Sequence, residues 1–393
     1  MESVSCTFNL FQYINFDDVN EHCYISMRNS DLYLNTKTFN NGMTIIKYNK
    51  DILKTNDNKF PYGLFRSVVL NKNNHIIGFS PVKSQPLHYL KDLYNYNINS
   101  EQIKFEEFVE GTMINVFYDN ISNNWELSTR SVVGGKTKFF TSSNMNFREM
   151  FLDAMNTLGL SFDELNKKYS YSFVLQHPEH QFIKQINTPK LYLCALFKCN
   201  GERVKQLDFR TMGTLKNKVF YPDILSEFHS IDDVEEAMSS GKYDFTFQGV
   251  VIRIGNFRTK VRNVNYNNAA LIRGNQPKML YRFIELTKTN EVNTFVKYFP
   301  RYKDIIESYK TIFNLMIKTL HSCVNNYCIV EFMRNIEEYP YEFRPHTIAL
   351  FEMHKAIKKR NTFTVSVEEV EQYISLLPCQ RIMFIINYNH KYT

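Results

Sequence analysis

The chain has 393 residues, 44% hydrophobic and 15% aromatic, so it can bury a large core and is not a disordered protein. Its formal net charge of +7 permits a polyanionic partner without requiring one. Seven scattered cysteines argue against a disulfide framework and fit a reducing compartment. The N-terminus lacks a signal-peptide pattern, and no stretch reaches the roughly 18 apolar residues that a membrane span needs. We therefore expect a cytoplasmic protein that does not enter a membrane.

Between about residues 40 and 270, short β-type runs alternate with Asn, Gly and Asp. The clearest runs are 44–48, 67–70, 113–118, 172–175 and 248–253. Apolar residues at helical spacing predict a helix over 147–158, and Ser230 is a predicted N-cap for an acidic helix over 231–239. This texture predicts an antiparallel α+β domain.

From about residue 275 the apolar period changes to 3.6, which is typical of helices. The predicted helices cover 281–287, 302–323, 345–358 and 366–377, and only residues 381–388 suggest an extended segment. We therefore predict two domains, an α+β domain over 1–272 and an all-helical C-terminal domain over 278–393. The Gly- and Pro-containing stretch between them is the predicted junction.

Several segments of the first domain occur in a characteristic order. They cover residues 65–70, 78–84, 108–111, 125–131, 171–180, 248–253 and 260–262. In order and spacing they resemble the adenylyltransferase domain of the phage-type, tRNA-repair RNA ligases, which belong to the covalent nucleotidyltransferase superfamily. The resemblance implies an antiparallel-sheet, ATP-grasp-like ligase domain. The composition, rich in Asn, Lys and Ile, is also similar to that of proteins from large DNA viruses.

The resemblance implies binding of a nucleotide and its phosphates by a defined set of residues. These are Arg66, Lys83, Glu110, Gly111, Arg130, Lys260 and Arg262. A guanidinium fork suits phosphate oxygens, and alternate residues of one strand point to the same side.

Three positions depart from the family pattern. The family's first motif is Lys-x-Asp/Glu-Gly, but residues 108–111 read Phe-Val-Glu-Gly, so Phe108 replaces the nucleophilic lysine and supplies no amine. The same alignment puts Val174 and Gln248 where the family has carboxylates that contact the nucleoside or its metal. Lys83 and Lys260 are the candidate substitute nucleophiles.

Two functions follow as hypotheses from the resemblance. The first is an RNA ligase that joins 5′-phosphate and 3′-hydroxyl ends of RNA, such as tRNA or nicked RNA, with ATP and Mg²⁺ and a relocated lysine. The second is a catalytically inactive pseudo-ligase that binds RNA or a nucleotide, or recruits a protein partner. An unrelated α+β protein is a third interpretation.

Two further patterns bear on these hypotheses. The segment 245–284 contains seven Lys or Arg and no Asp or Glu, which favours contact with nucleic acid, and Tyr266 and Tyr281 are predicted to stack on bases. The cysteine spacings do not fit a zinc site, so we predict no metal bound by thiolates.

Overall fold

A computed structural model describes residues 7–16, 23–55, 61–97, 103–140, 143–211, 213–215, 217–255, 257–329, 335–358 and 363–388. The chain divides into two compact units, Met1–Ala270 (unit 1) and Leu271–Thr393 (unit 2). Unit 1 mixes antiparallel sheets with helices, whereas the secondary structure described in unit 2 is helical. The predicted α+β class with a helical C-terminal region is confirmed.

The described residues of unit 1 form three antiparallel sheets. Their strands are β1 (Thr7–Asn9), β2 (Tyr24–Ser26), β3 (Tyr33–Thr38), β4 (Thr44–Tyr48), β5 (Val68–Leu70), β6 (Ile76–Phe79), β7 (Ile103–Glu107), β8 (Thr112–Asp119), β9 (Asn124–Ser128), β10 (Tyr169–Gln176), β11 (Lys190–Asn200), β12 (Arg203–Leu207), β13 (Gly249–Ile254) and β14 (Phe257–Arg262). The sheet orders are β1-β12-β11-β10-β8-β9, β2-β3-β4-β5-β6 and β14-β13-β7. The accompanying helices are α1 (Lys50–Thr55), α2 (Leu87–Asn97), α3 (Phe147–Thr157), α4 (Ile231–Ser239) and α5 (Val264–Arg273), the last of which runs past the final residue of unit 1.

Helix α3 packs against the six-stranded sheet. Asn146 begins this helix with a capping box, in which its side chain accepts from the amide of Glu149 and the Glu149 carboxylate accepts from the amide of Asn146. Phe151 packs on Phe173 of β10, with 5.7 Å between ring centroids. Strand β10 is almost wholly buried because α3 covers one face and β6 packs against the other.

The three-stranded sheet includes β14, which carries Arg258, Lys260 and Arg262. Helices α2 and α4 contact it and share an apolar cluster with it. At the start of β13, Gly249 has a φ of 137°, and a Cβ there would lie 2.2 Å from the carbonyl oxygen of Val261. Only glycine allows β13 and β14 to approach this closely.

Unit 2 is built from helices. They are α6 (Met279–Lys288), α7 (Val292–Tyr298), α8 (Lys303–Ile329), α9 (Arg344–Lys358), α10 (Val367–Leu376) and α11 (Cys379–Asn387). The long helix α8 packs against α9, α10 and α11. Within the described residues, none of the helices combines the length and the apolar character needed to cross a membrane.

One local prediction was wrong. Residues 381–388 were expected to be extended, but α11 covers most of them, since it starts after Pro378 and buries Ile382 and Ile385 one turn apart. Helix α5 was not predicted from the sequence. The buried side chain of Asn263 accepts a hydrogen bond from the amide of Asn265 and so starts α5.

Candidate functional site

A cavity of about 510 Å³ in unit 1 is lined mainly by basic side chains. The residues that line it are Tyr48, Arg66, Lys83, Ser84, Gln85, Pro86, Arg130, Arg258, Thr259, Lys260 and Arg262. Six of these described residues are Lys or Arg, and none is Asp or Glu. We call this space the cation cavity.

Separate elements bring these cations together. Arg66 lies just before β5, Lys83 follows β6, and Arg130 follows β9. The other three alternate along β14, where residues two apart lie on the same face of a strand. Five of the seven residues predicted to bind a nucleotide and its phosphates therefore line one cavity.

Sequence reasoning did not assign Arg258 to the site. Its Nε donates to the carbonyl of Val82 at 2.9 Å, and its side chain is buried. Burial, then Arg66 and Arg253, lowers its pKa well below the ordinary value. The signal was present in the sequence, because Arg258 precedes Lys260 by two positions.

Arg130 lies across the aromatic ring of Tyr48, with its Cζ 4.4 Å from the ring centroid. Its Nε is buried and has no hydrogen-bond partner among the described residues. Burial also lowers the pKa of Arg66. The cation cavity therefore holds guanidinium groups that have lost water without gaining a described carboxylate partner.

Lys260 lies over the ring of Phe108, with its Nζ 3.9 Å from the ring centroid. Burial first, then Arg258, Arg66, Arg262 and Lys83, lowers its pKa to about 6. Most of the Lys260 amine is therefore uncharged at neutral pH. The structure thus puts an amine from β14 against Phe108, the residue that the sequence resemblance aligned with the motif lysine.

Glu110 and Gly111 do not line the cation cavity. The Glu110 carboxylate accepts from the backbone amides of Ile183 and Lys184 at 3.0 and 3.2 Å, and from the hydroxyl of Tyr266. Gly111 has a φ of 149°, and a Cβ there would lie 2.4 Å from the Leu175 carbonyl oxygen. Both residues therefore have a structural reason for their identity.

Tyr266 cannot stack on a base as predicted, because its side chain is buried and only 3% exposed. Its pKa is raised by burial and by Glu110. The prediction was wrong because a tyrosine in a basic stretch was taken for a surface residue, whereas its hydroxyl satisfies a buried carboxylate.

The two positions that the sequence resemblance aligned with carboxylates, Val174 and Gln248, differ in surroundings. Val174 packs with Val109 and Cys194 in a small apolar cluster, and burial raises the pKa of the Cys194 thiol to about 12. The Oε1 of Gln248 is buried without a hydrogen-bond partner among the described residues. Among all the residues that the structure describes, no three His, Cys, Asp or Glu side chains are grouped so that they could hold a metal ion.

Not all of the basic stretch 245–284 faces the cation cavity. Arg253 donates to Glu106 at 2.6 Å, and Arg210 reaches the same carboxylate at 3.2 Å. Burial alone would raise the pKa of Glu106, but these two arginines hold it below its ordinary value. In unit 2, Arg282 pairs with Glu285 at 3.0 Å. Arg253 and Arg282 are thus paired with carboxylates of the protein itself, which is a structural role.

Comparisons with known proteins give structural likenesses only. No protein-family model matches the chain, and no curated protein matches it. Similar solved structures are ATP-dependent RNA and DNA ligases. A Naegleria gruberi RNA ligase mutant with ATP and Mn is 14% identical, with a TM-score of 0.35, covering 48% of this chain and 58% of that one. The likeness thus spans under two thirds of the Naegleria chain.

Two others cover more of both chains. An archaeal ATP-dependent RNA ligase is 13% identical, with a TM-score of 0.37, covering 70% of this chain and 67% of that one. A candidate ATP-dependent DNA ligase from Aquifex aeolicus is 16% identical, with a TM-score of 0.38, covering 71% and 69%. Likenesses at these identities and TM-scores do not assign the chain to a family.

Proposed function

We propose that unit 1 is an RNA-ligase-like module that binds the phosphates of a nucleotide or of an RNA end in the cation cavity. The observation that carries the proposal is the set of six basic residues lining one cavity with no described carboxylate among them. Phosphate oxygens match guanidinium and ammonium donors in charge and geometry.

The energetics of buried charge support this function. An arginine that leaves water without a carboxylate loses solvation that a neutral acceptor such as the Val82 carbonyl recovers only in part. Burial, then Arg66, lowers the pKa of Arg258, and burial, then Arg258 and Arg66, lowers the pKa of Lys260, so these cations repel one another. A bound phosphate chain would reverse this repulsion.

ATP and Mg²⁺, which the ligase resemblance implies, fit this site differently. The triphosphate of ATP finds donors in Arg66, Arg130 and Arg258, whereas Mg²⁺ needs oxygen ligands such as carboxylates. None of the described residues lining the cavity has a carboxylate, and Val174 and Gln248 do not replace one. The residues present fit the phosphates and do not fit the metal, so we assign no step to it.

Covalent catalysis by Lys260 is the second candidate function. Its Nζ lies 3.9 Å from the ring centroid of Phe108 and so approaches the motif-lysine position from another strand. In such a step the amine nitrogen would bond to the α-phosphorus of ATP, the bond to pyrophosphate would break, and the amine would lose its proton. Lys83, the other candidate nucleophile, also lines the cavity.

One experiment separates binding from catalysis. Purified protein is titrated with ATP and with a 5′-phosphorylated RNA oligonucleotide, and is separately incubated with α-labelled ATP and then run on a denaturing gel. We expect binding that weakens about tenfold in Arg130→Gln, because a charged contact to phosphate is lost. Lys205→Met is the matched control, since Lys205 is exposed on β12 and does not line the cavity.

The labelling result decides between the two hypotheses of the ligase resemblance. A covalent adduct that disappears in Lys260→Met but persists in Lys83→Met would establish a relocated nucleophile. Binding without an adduct would establish a pseudo-ligase. Absence of binding to either ligand, with the protein folded by circular dichroism, would refute the proposed function.

A further inference from the structure

The positive charge inside the cation cavity influences whether a phosphate ligand binds as the free anion or as its Mg²⁺ complex. Nucleotides in solution exist as free anions and as Mg²⁺ complexes, and the complex carries two fewer negative charges. A site that shares the ligand with Mg²⁺ normally contributes one or two carboxylates to the ion. The cavity can therefore be judged by what its own side chains offer to a cation.

The buried carboxylates that flank the site are already engaged. Glu106 accepts from Arg253 at 2.6 Å and from Arg210 at 3.2 Å. Glu110 accepts from the amides of Ile183 and Lys184 and from the hydroxyl of Tyr266. To bind a divalent ion, either carboxylate would first have to give up these partners.

The groups that do face the cavity repel a divalent ion. Arg258 is buried on β14, and Arg130 keeps a buried Nε without a hydrogen-bond partner among the described residues. Lys260 lies over Phe108, and after burial it is the cations Arg258, Arg66, Arg262 and Lys83 that lower its pKa. Adding a doubly charged ion to this set raises the Coulomb energy, whereas adding a bare oligophosphate lowers it.

We infer that the cation cavity selects the metal-free form of an oligophosphate, and that Mg²⁺ competes with the protein for this ligand. The inference rests on the proposed function, since it specifies the ligand form for the same cavity. The shared chemistry is a triphosphate chain, which a nucleotide, a 5′-triphosphate RNA end or inorganic tripolyphosphate can supply. Guanidinium groups take the place that the metal has in carboxylate-lined sites.

Isothermal titration calorimetry of the full chain tests the inference. Inorganic tripolyphosphate is titrated in EDTA and in excess Mg²⁺ at matched ionic strength. ATP and a 5′-triphosphate RNA oligonucleotide are titrated in EDTA, and their relative affinities show which of them supplies the triphosphate. We expect tripolyphosphate to bind at least about tenfold more tightly in EDTA than in Mg²⁺. The affinity in EDTA should fall about tenfold in Arg130→Gln and in Lys260→Met, and remain unchanged in Lys205→Met.

The outcomes separate this inference from the function on which it rests. Equal or tighter binding in Mg²⁺ would overturn the metal-free selection and leave phosphate binding intact. Lack of tripolyphosphate binding in both buffers would overturn both. Binding that survives in Arg130→Gln and Lys260→Met alike would move the site out of the cation cavity and overturn the inference too.

Discussion

Arg253 on β13 and Arg258 on β14 are direct partners across the two strands, yet only Arg253 has a carboxylate as its hydrogen-bond acceptor. Arg253 donates to the buried carboxylate of Glu106, which it shares with Arg210. Arg258 is buried with a backbone carbonyl as its acceptor and other cations around it. The first arrangement is complete within the protein. The second leaves Arg258 without a carboxylate hydrogen-bonded to it among the described residues, as the proposed phosphate site requires.

Removal of the Glu106 carboxylate should have the largest effect. Glu106→Gln leaves Arg253 and Arg210 without their negative partner in a buried site, so we expect the free energy of unfolding to fall by about 3–5 kcal/mol. Urea denaturation followed by circular dichroism measures the change. Glu235→Gln is the control, because Glu235 pairs with Lys91 at the surface. A loss no greater than in this control would contradict the distinction between the two arginines.

Removal of the Arg258 guanidinium should affect binding more than stability. Arg258→Met takes away a buried cation that lacks a described carboxylate partner, so the free energy of unfolding should change by no more than about 1 kcal/mol. Affinity for tripolyphosphate in EDTA should fall by about 2 kcal/mol, since a charged hydrogen bond to phosphate is lost. Denaturation of the variant measures the change in stability, and calorimetry measures the change in affinity. Severe destabilisation with intact binding would assign Arg258 to the fold.

The titration of Lys260 sharpens the comparison through pH. The folded-state pKa of Lys260 is about 6, below its ordinary value, so above about pH 6 the unfolded chain holds a proton that the folded chain has released. Stability should therefore rise with pH from this residue by up to about 1.4 kcal/mol per pH unit. Denaturation between about pH 6 and pH 8 should show a smaller slope in Lys260→Met than in the unchanged protein. Identical slopes would contradict the lowered pKa.

The smallest effect is expected at the rim of the cation cavity. Arg262 is exposed, and its Cζ lies 5.8 Å from the Phe108 ring centroid. Arg262→Gln should weaken anion binding by about 0.5 kcal/mol at low salt, an effect that added NaCl should abolish. Stability should stay the same. An effect as large as that of Arg258→Met would mean that depth in the cavity does not set the contribution of a cation.

The features that could be predicted from the sequence are those set by neighbouring residues along the chain. The helix at 231–239 and its Ser230 cap are confirmed, because capping and apolar spacing act within a few residues. Residues Lys260 and Arg262 share a strand, so their common face followed from alternation alone. The partners of Glu110 could not be foreseen, since residues 183–184 and Tyr266 reach it only through the tertiary fold. The strand expected at 381–388 failed because its β-branched and aromatic composition resembles a strand locally, while burial against other helices decides the outcome.

The contact between Phe108 and Lys260 makes the residue tolerated at one of these positions depend on the residue at the other. A lysine introduced at position 108 would replace a ring whose centroid lies 3.9 Å from the Nζ of Lys260 with a second amine. Burial and the neighbouring arginines already lower the pKa of Lys260 to about 6, and a second amine at this place would lower the basicity of both. A lysine at position 108 would thus carry a free-energy penalty unless position 260 changed as well.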